Sequence, residues 1–296
     1  MPSIAYRLTS LFRRFSDRAL GIRDIRKQLY ELRWHIGQAT LKDILSQTRY
    51  QEPKRLLRHG YKVFSQEDED GIIAEIFNRI GTETKQFVEI GVENGWECNT
   101  CTLLYHGWKG VWFEGSSSAV ASIKDKFSDR ISNGQLEANQ KFVTRDFSAE
   151  LSARWPSLKG LDLFSIDIDG NDYDIIEALQ GKLQARLIIV EYNPKLRPPI
   201  DWHMPYRADH VWDGTDWYSA SLTAWTRLLS DKGYSLVGCN ITGNNAFFVR
   251  SDLASGKLLS FEAQRESPYR GGRSPHWIKI KNRLHHSVER VKEASR

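Results

Sequence analysis

The chain has 296 residues, 40% of them apolar and 11% aromatic, enough to bury a sizeable core, which excludes a disordered chain. No apolar run approaches the roughly 18 residues that span a bilayer, and three cysteines, Cys98, Cys101 and Cys239, are too few for a disulfide framework. The net charge of +5 is uneven: residues 1–35 carry +5 and residues 265–296 carry +6, so the body between them is acidic, which excludes a nucleic-acid-binding domain built on a basic face.

The opening MPSIAYRLTSLFRRFSDRALG lacks the apolar core and small-residue cleavage site of a signal peptide, so a reducing, cytoplasmic setting is expected. Leu8, Leu11, Phe12 and Phe15, then Ile22, Ile25, Leu29, Leu32 and Ile36, recur at spacings of three and four, which predicts helix over the first 50 residues or so. Arginines fill its other faces. Such a helix suits the surface of an anionic membrane, a partner helix, or packing on its own domain.

From Gln86 the pattern changes. Short apolar runs at 86–91, 110–115, 141–146, 161–169 and 185–193 alternate with helical stretches such as 117–127, 173–183 and 219–232, which predicts crossover units and a mainly parallel sheet. The last two runs, 234–240 and 245–251, are separated by only ITGN. No crossover helix fits there, so these two strands are expected to form an antiparallel hairpin.

Ligands of open parallel sheets sit beyond the carboxyl ends of the strands, so the strand-end residues carry the chemistry. The first strand ends FVEIGVENG, with Glu89, Gly91 and Gly95. The G-x-x-x-G spacing is not the G-x-G-x-x-G of a dinucleotide cradle, and the acid suits a cationic ligand without phosphate. The second strand ends in Glu114, which can hold both hydroxyls of a ribose. The third is expected to end in Asp146, placed for an adenine amine.

FVEIGVENG, WFEG, TRD and SIDIDG, in that order, resemble the strand-end motifs of class I S-adenosylmethionine-dependent methyltransferases, and are most similar to the FkbM-like branch. YKVFSQEDEDGIIAEIF (61–77) resembles the segment that precedes the core in that branch. The likeness covers roughly residues 60–250 and departs at Glu93, where many methyltransferases have a middle glycine. It implies a Rossmann-like α/β fold with a closing antiparallel hairpin. The expected organisation is a basic helical extension at 1–55, a methyltransferase domain at 56–252 and a basic tail at 253–296. It further implies S-adenosylmethionine as cofactor, with Glu89 and Gly91 at its methionine end, Glu114 at the ribose and Asp146 at the adenine. Glu89 could instead cap the helix after Gly95.

Four aspartates crowd FSIDIDGNDYD (164–174), and the next strand ends in Glu191, Tyr192 and Asn193. Hard oxygens from two neighbouring strand ends suit Mg²⁺ or another divalent cation held by Asp167, Asp169, Glu191 and Asn193, which would lower the pKa of a substrate hydroxyl. Two readings compete. Asp169, Asn171 and Asp172 could cap the following helix, or Asp167 could touch the cofactor's amino group without metal. An EF-hand is excluded by the position of the glycine.

Cys98 and Cys101 form a lone C-x-x-C with no second pair, so buried small side chains are expected rather than zinc. Residues 196–221 form a long aromatic stretch with His203 and His210 as candidate bases. Its rings suit a sugar or another polar acceptor, or pin the loop to the domain. The expectation is an O-methyltransferase acting on a sugar, glycan or similar small polar hydroxyl. Basic ends would be free to touch an anionic membrane, and the alternatives are a metal-free methyltransferase with His203 or His210 as base, or a non-catalytic nucleotide-binding module of the same fold.

Overall fold

A computed structural model of the chain describes residues 21–154, 160–179 and 182–261. These fall into two units, with the division after Gln51. The first holds helix α1, Ile22–Ser46, and a 3-10 turn at Thr48–Tyr50. The Leu8–Phe15 part of the apolar pattern lies outside the described residues, as does the basic end from 262 onward. Along α1, Ile25, Leu29, Leu32 and Ile36 are between 45% and 54% exposed. No helix among the described residues is long and apolar enough to cross a membrane.

The second unit opens with α2, Glu69–Ile80, and is built on one seven-stranded sheet. β1 is Gln86–Ile90, followed by the short α3, Cys101–Tyr105, and β2, Lys109–Glu114. Helices α4, Ser117–Lys126, and α5, Ser128–Ser132, lead to β3, Leu136–Gln140. Then come α6, Phe147–Arg154; β4, Leu163–Ile166; α7, Asp172–Ala178; and β5, Leu187–Glu191. The described part closes with α8, Leu222–Asp231; β6, Tyr234–Cys239; β7, Asn245–Arg250; and α9, Ser251–Ala254.

The sheet order is β3-β2-β1-β4-β5-β7-β6. β1 to β5 are parallel, and β7 runs antiparallel to both β5 and β6. This is the mostly parallel Rossmann-like sheet with an antiparallel closing hairpin that the strand pattern predicts. Its central strands are mostly apolar, as helices covering both faces of a parallel sheet require, with Glu89 on β1 and Ser165 on β4 as buried polar exceptions. Val88, Ile90, Phe164, Ile166, Ile188 and Val190 are all buried in the main core. The crevice at the switch between β1 and β4 opens at the carboxyl edge, where strands on either side lead away in opposite directions.

One predicted strand is misplaced. The third strand is Leu136–Gln140, not 141–146. β3 is an edge strand with β2 as its only neighbour, and the pairing from Gly110↔Leu136 to Glu114↔Gln140 uses β2 to its last residue. Beyond Gln140 no strand remains to pair with, so KFV continues as coil despite its apolar pattern.

The residues leading into α2 are tied to the hairpin. Glu69 Oε1 accepts from the amides of Asn240 (2.8 Å) and Asn245 (3.0 Å), and Asp68 Oδ1 accepts from the Ile241 N–H at 3.0 Å. Burial, then the neighbouring Glu69 carboxylate, pushes the Asp68 carboxyl from 3.8 up to about 8. A folded-state pKa raised above the unfolded one means that the native state binds the extra proton. The stability this confers is complete below about pH 4 and lost as pH rises through 8. Asp68→Asn, which has no charge to bury, is expected to flatten the fall in melting temperature between those limits. Thermal melts across the range check it.

Candidate active site at the carboxyl edge of the sheet

The turn after β1 brings the strand ends together through the backbone. Gly91 has φ +81°, and a Cβ there would stand 1.7 Å from the Asp167 carbonyl oxygen, so only glycine lets the loops after β1 and β4 meet. Gly95, at φ +82°, faces the protein interior instead: a Cβ would meet Trp112 and Phe127 at 2.9 Å. Its glycine is required by packing. Glu93 also takes a left-handed conformation, with φ +48°, which costs a non-glycine residue about 1–2 kcal/mol. Its N–H donates to Glu114 Oε2 at 2.8 Å, while Glu114 Oε1 accepts from the Ser116 N–H at 2.8 Å. Glu114 thus stands at the end of β2 and is half-buried, with its carboxylate oriented by two backbone donors.

Glu89 is engaged differently from its expected place at the cofactor. It is buried, and its oxygens accept from the Asn99 N–H (2.8 Å), the Thr100 N–H (3.0 Å), the Thr100 hydroxyl (2.5 Å) and the Ser165 hydroxyl (3.2 Å). The carboxylate satisfies the N–H groups ahead of α3, as the capping alternative holds, and Thr100 passes the chain of hydrogen bonds on to the Trp112 indole. Cys98 and Cys101 are both buried beside it.

The crowded aspartates divide into two kinds. Asp172 is buried and accepts from the Ile168 and Gly170 N–H groups, both at 2.9 Å. Asn171 exchanges hydrogen bonds with the backbone of Arg207. These two shape and anchor the loop, and neither side chain caps α7 from the N-cap position. Asp167, Asp169 and Glu191 face one another, each offering an oxygen, all within 4.8 Å. Asp169 has φ +55°. Burial, then Asp169 and Asp172, pushes the Asp167 carboxyl well above the usual carboxylate range; burial, then Asp167, does the same to Glu191. Glu191 Oε2 is buried with no hydrogen-bond partner, the signature of a missing cation or proton. Asn193 does not join these acids: its Nδ2 donates to the Asp216 carbonyl at 2.9 Å and its Oδ1 accepts from the Lys195 N–H at 3.1 Å. Its side chain fastens the following loop.

That loop covers one side of the cluster. His210 is half-buried, with Nε2 at 3.3 Å from the Asp169 carbonyl oxygen. His203 stacks on Tyr173 with ring centroids 4.1 Å apart and bridges to Ala220 through its backbone. The two histidines are therefore not equivalent, and only His210 borders the acids. Sequence reasoning missed Tyr218, whose phenol is held well above its usual range by burial and then by Glu191. No local motif marks it; it reaches the cluster only through the path of the loop. Trp212 and Trp217 are 47% and 50% exposed, and Trp217 packs edge-on to Trp202. Asp146 lies in the exposed turn ahead of α6, six residues beyond β3, and not at a strand end. Beside it Arg145 pairs with buried Asp174 and lies over the Tyr206 ring at 4.6 Å.

No family model and no curated protein matches this chain. Solved structures similar to it include magnesium protoporphyrin IX methyltransferase from Synechocystis PCC 6803 with bound S-adenosylmethionine, at 15% identity, covering 73% of this chain and 97% of that one, with a TM-score of 0.37. The methyltransferase domain of bacterial CtHen1 is 16% identical, with 62% and 97% covered and a TM-score of 0.41. Geranyl diphosphate C-methyltransferase from Streptomyces coelicolor A3(2), in complex with Mg²⁺, geranyl diphosphate and S-adenosyl-L-homocysteine, is 7% identical, with 62% and 79% covered and a TM-score of 0.39. At this distance the likenesses add nothing to the fold that the order and direction of the seven strands already establish.

Proposed function

We propose that this chain is an S-adenosylmethionine-dependent O-methyltransferase whose acceptor is a hydroxyl of a sugar, a glycan or a similar small polar molecule. The observation that carries this reading is the ring of acids around the switch-point crevice: Glu114 at the end of β2, Asp167 and Asp169 after β4, and Glu191 at the end of β5. Such a ring suits a ligand that is cationic at one end and bears a sugar diol in the middle. S-adenosylmethionine has both, and when bound supplies an electrophilic methyl group on a sulfonium.

Under this reading Glu114, pre-oriented by the Glu93 and Ser116 N–H groups, receives the ribose hydroxyls. The backbone at Gly91 lets the methionine end approach β4, and Asp146 in its turn serves the adenine edge. Glu89 contributes by holding the 99–100 segment. Asp167, Asp169 and Glu191 fit a divalent cation such as Mg²⁺, because their oxygens converge and Glu191 Oε2 lacks any other partner. A bound cation would lower the pKa of an acceptor hydroxyl. His210 lies at the edge of the same cluster with Nε2–H turned to the Asp169 carbonyl, which leaves Nδ1 as the nitrogen that would take the proton this hydroxyl loses. Exposed Trp212 and Trp217, on the loop that also carries His210, offer flat apolar faces, and this favours a sugar ring over an extended macromolecule.

Calorimetry with S-adenosylhomocysteine tests the reading. Glu114→Ala removes charged hydrogen bonds worth about 1.5–3 kcal/mol each, so affinity is expected to fall roughly tenfold to a hundredfold for each bond lost. A thermal melt of the variant controls for the lost Glu93 and Ser116 contacts. A folded wild-type protein that binds no S-adenosylhomocysteine would overturn the assignment and leave a binding module of the same fold.

A further inference from the structure

His210 belongs to a loop with no regular structure of its own, yet its ring is placed by another segment, the loop after β4. Three contacts do this. Asn171 is buried and engages one residue with its whole amide: Nδ2 donates to the Arg207 carbonyl at 2.7 Å, and Oδ1 accepts from the Arg207 N–H at 3.1 Å. The same carbonyl accepts from the His210 N–H at 3.0 Å, so a clamp on Arg207 also fixes the turn that ends in His210. Gly170 leaves room for the ring. A Cβ there would stand 2.3 Å from His210 Cδ2 and 3.1 Å from Nε2, closer than carbon atoms pack without repulsion. Finally, the Asp169 carbonyl oxygen lies 3.3 Å from Nε2.

The supporting loop is itself held. The Ile168 and Gly170 N–H groups both donate to buried Asp172 at 2.9 Å. Asp169 has φ +55°, a conformation that a residue with a side chain keeps only where its surroundings impose it. A carbonyl oxygen can only accept, so the ring nitrogen beside it carries the proton and the other nitrogen keeps its lone pair.

We propose that Gly170 and Asn171 are positioning residues for His210. Asn171 holds the turn, Gly170 admits the ring, and together they keep the imidazole against the Asp169 carbonyl in its Nε2–H form, with Nδ1 free to accept a proton. The inference rests on the methyltransferase reading only for the source of that proton. A loop that needed anchoring alone would use Asn171 and would not need a glycine beneath an imidazole.

NMR of the ring nitrogens and protons in the full-length protein, at about pH 8.5 where an ordinary imidazole is neutral, reads the tautomer directly. Loss of the signal in His210→Gln assigns it. Wild type is expected to show His210 as one fixed Nε2–H tautomer. In Gly170→Ala the new methyl group displaces a side-chain ring and no backbone, so the melt is expected to stay unchanged while the ring signals shift and the two tautomers average. Asn171→Ala is expected to give the same averaging with a lower melt, whereas a purely structural role would lower the melt and leave the ring signals as they are. Averaged tautomers in the wild type, or wild-type ring signals in Gly170→Ala, would overturn the proposal. Calorimetry with S-adenosylhomocysteine on the same samples reports separately on the methyltransferase reading, so the two fail independently.

Discussion

On the proposed reading, Asp167→Asn is expected to weaken divalent-cation binding and methyl transfer while leaving the fold intact or slightly more stable. The substitution keeps the shape of the side chain and removes one of three converging negative charges. Losing groups that merely orient a metal ligand lowers affinity by about 10–100-fold, so removing the ligand's charge is expected to reach at least the upper end of that range. Turnover with a sugar acceptor should drop by roughly 10²–10³-fold, the usual effect of deleting one preorganised electrostatic contact. Stability moves the other way. Asp167 is pushed up by burial and by its acidic neighbours, which means that its charge opposes folding when no cation is present. Mg²⁺ calorimetry, turnover and thermal melts of the two proteins report these three effects separately. Wild-type turnover that survives exhaustive chelation would remove the cation from the mechanism. His210→Ala, tested beside His203→Ala, would then show whether the proton is taken by the imidazole that borders the cluster.

Substitution of Glu89 is expected to act on stability, in two graded steps. Glu89→Gln retains the length but replaces one acceptor oxygen with an NH₂ group, which must then face either the Asn99 N–H or the Thr100 donors. An unsatisfied buried group costs about 1–3 kcal/mol. Glu89→Ala leaves the buried Asn99 and Thr100 N–H groups without an acceptor, at about 1–3 kcal/mol each. For a unit of this size each kcal/mol shifts Tm by about 2–4 °C, so the alanine variant is expected to melt roughly 4–24 °C lower. A contact with the cofactor predicts a different result: an unchanged Tm with a weakened S-adenosylhomocysteine affinity. Melts and calorimetry on both variants distinguish the two roles of this one carboxylate.

The features legible in the chain were those set by short-range patterning. Alternating apolar runs and helical stretches are enough to indicate a parallel sheet, because a strand buried on both faces is apolar at most of its positions, as at Phe164, Ile188 and Val190. Four residues between the last two strands leave room for a hairpin alone. Glu114 could be placed at its strand end because the apolar run before it stops there. The third strand was not legible, since an edge strand such as LEANQ is half exposed and its limit depends on where β2 ends.

Carboxylates that look alike along the chain were sorted only by their partners in space. Glu89 is occupied by donors up to 76 residues away. Asn193, adjacent to the acids in sequence, is turned to the Asp216 carbonyl. Tyr218 and His210 reach the cluster from a loop with no regular repeat. Hydrogen bonds and charge interactions act over a few ångströms whatever the separation along the chain. Periodicity can therefore announce where an acid emerges from the sheet. Whether that acid is spent on the protein's own N–H groups or left facing a ligand depends on which distant segments the packed sheet brings within reach.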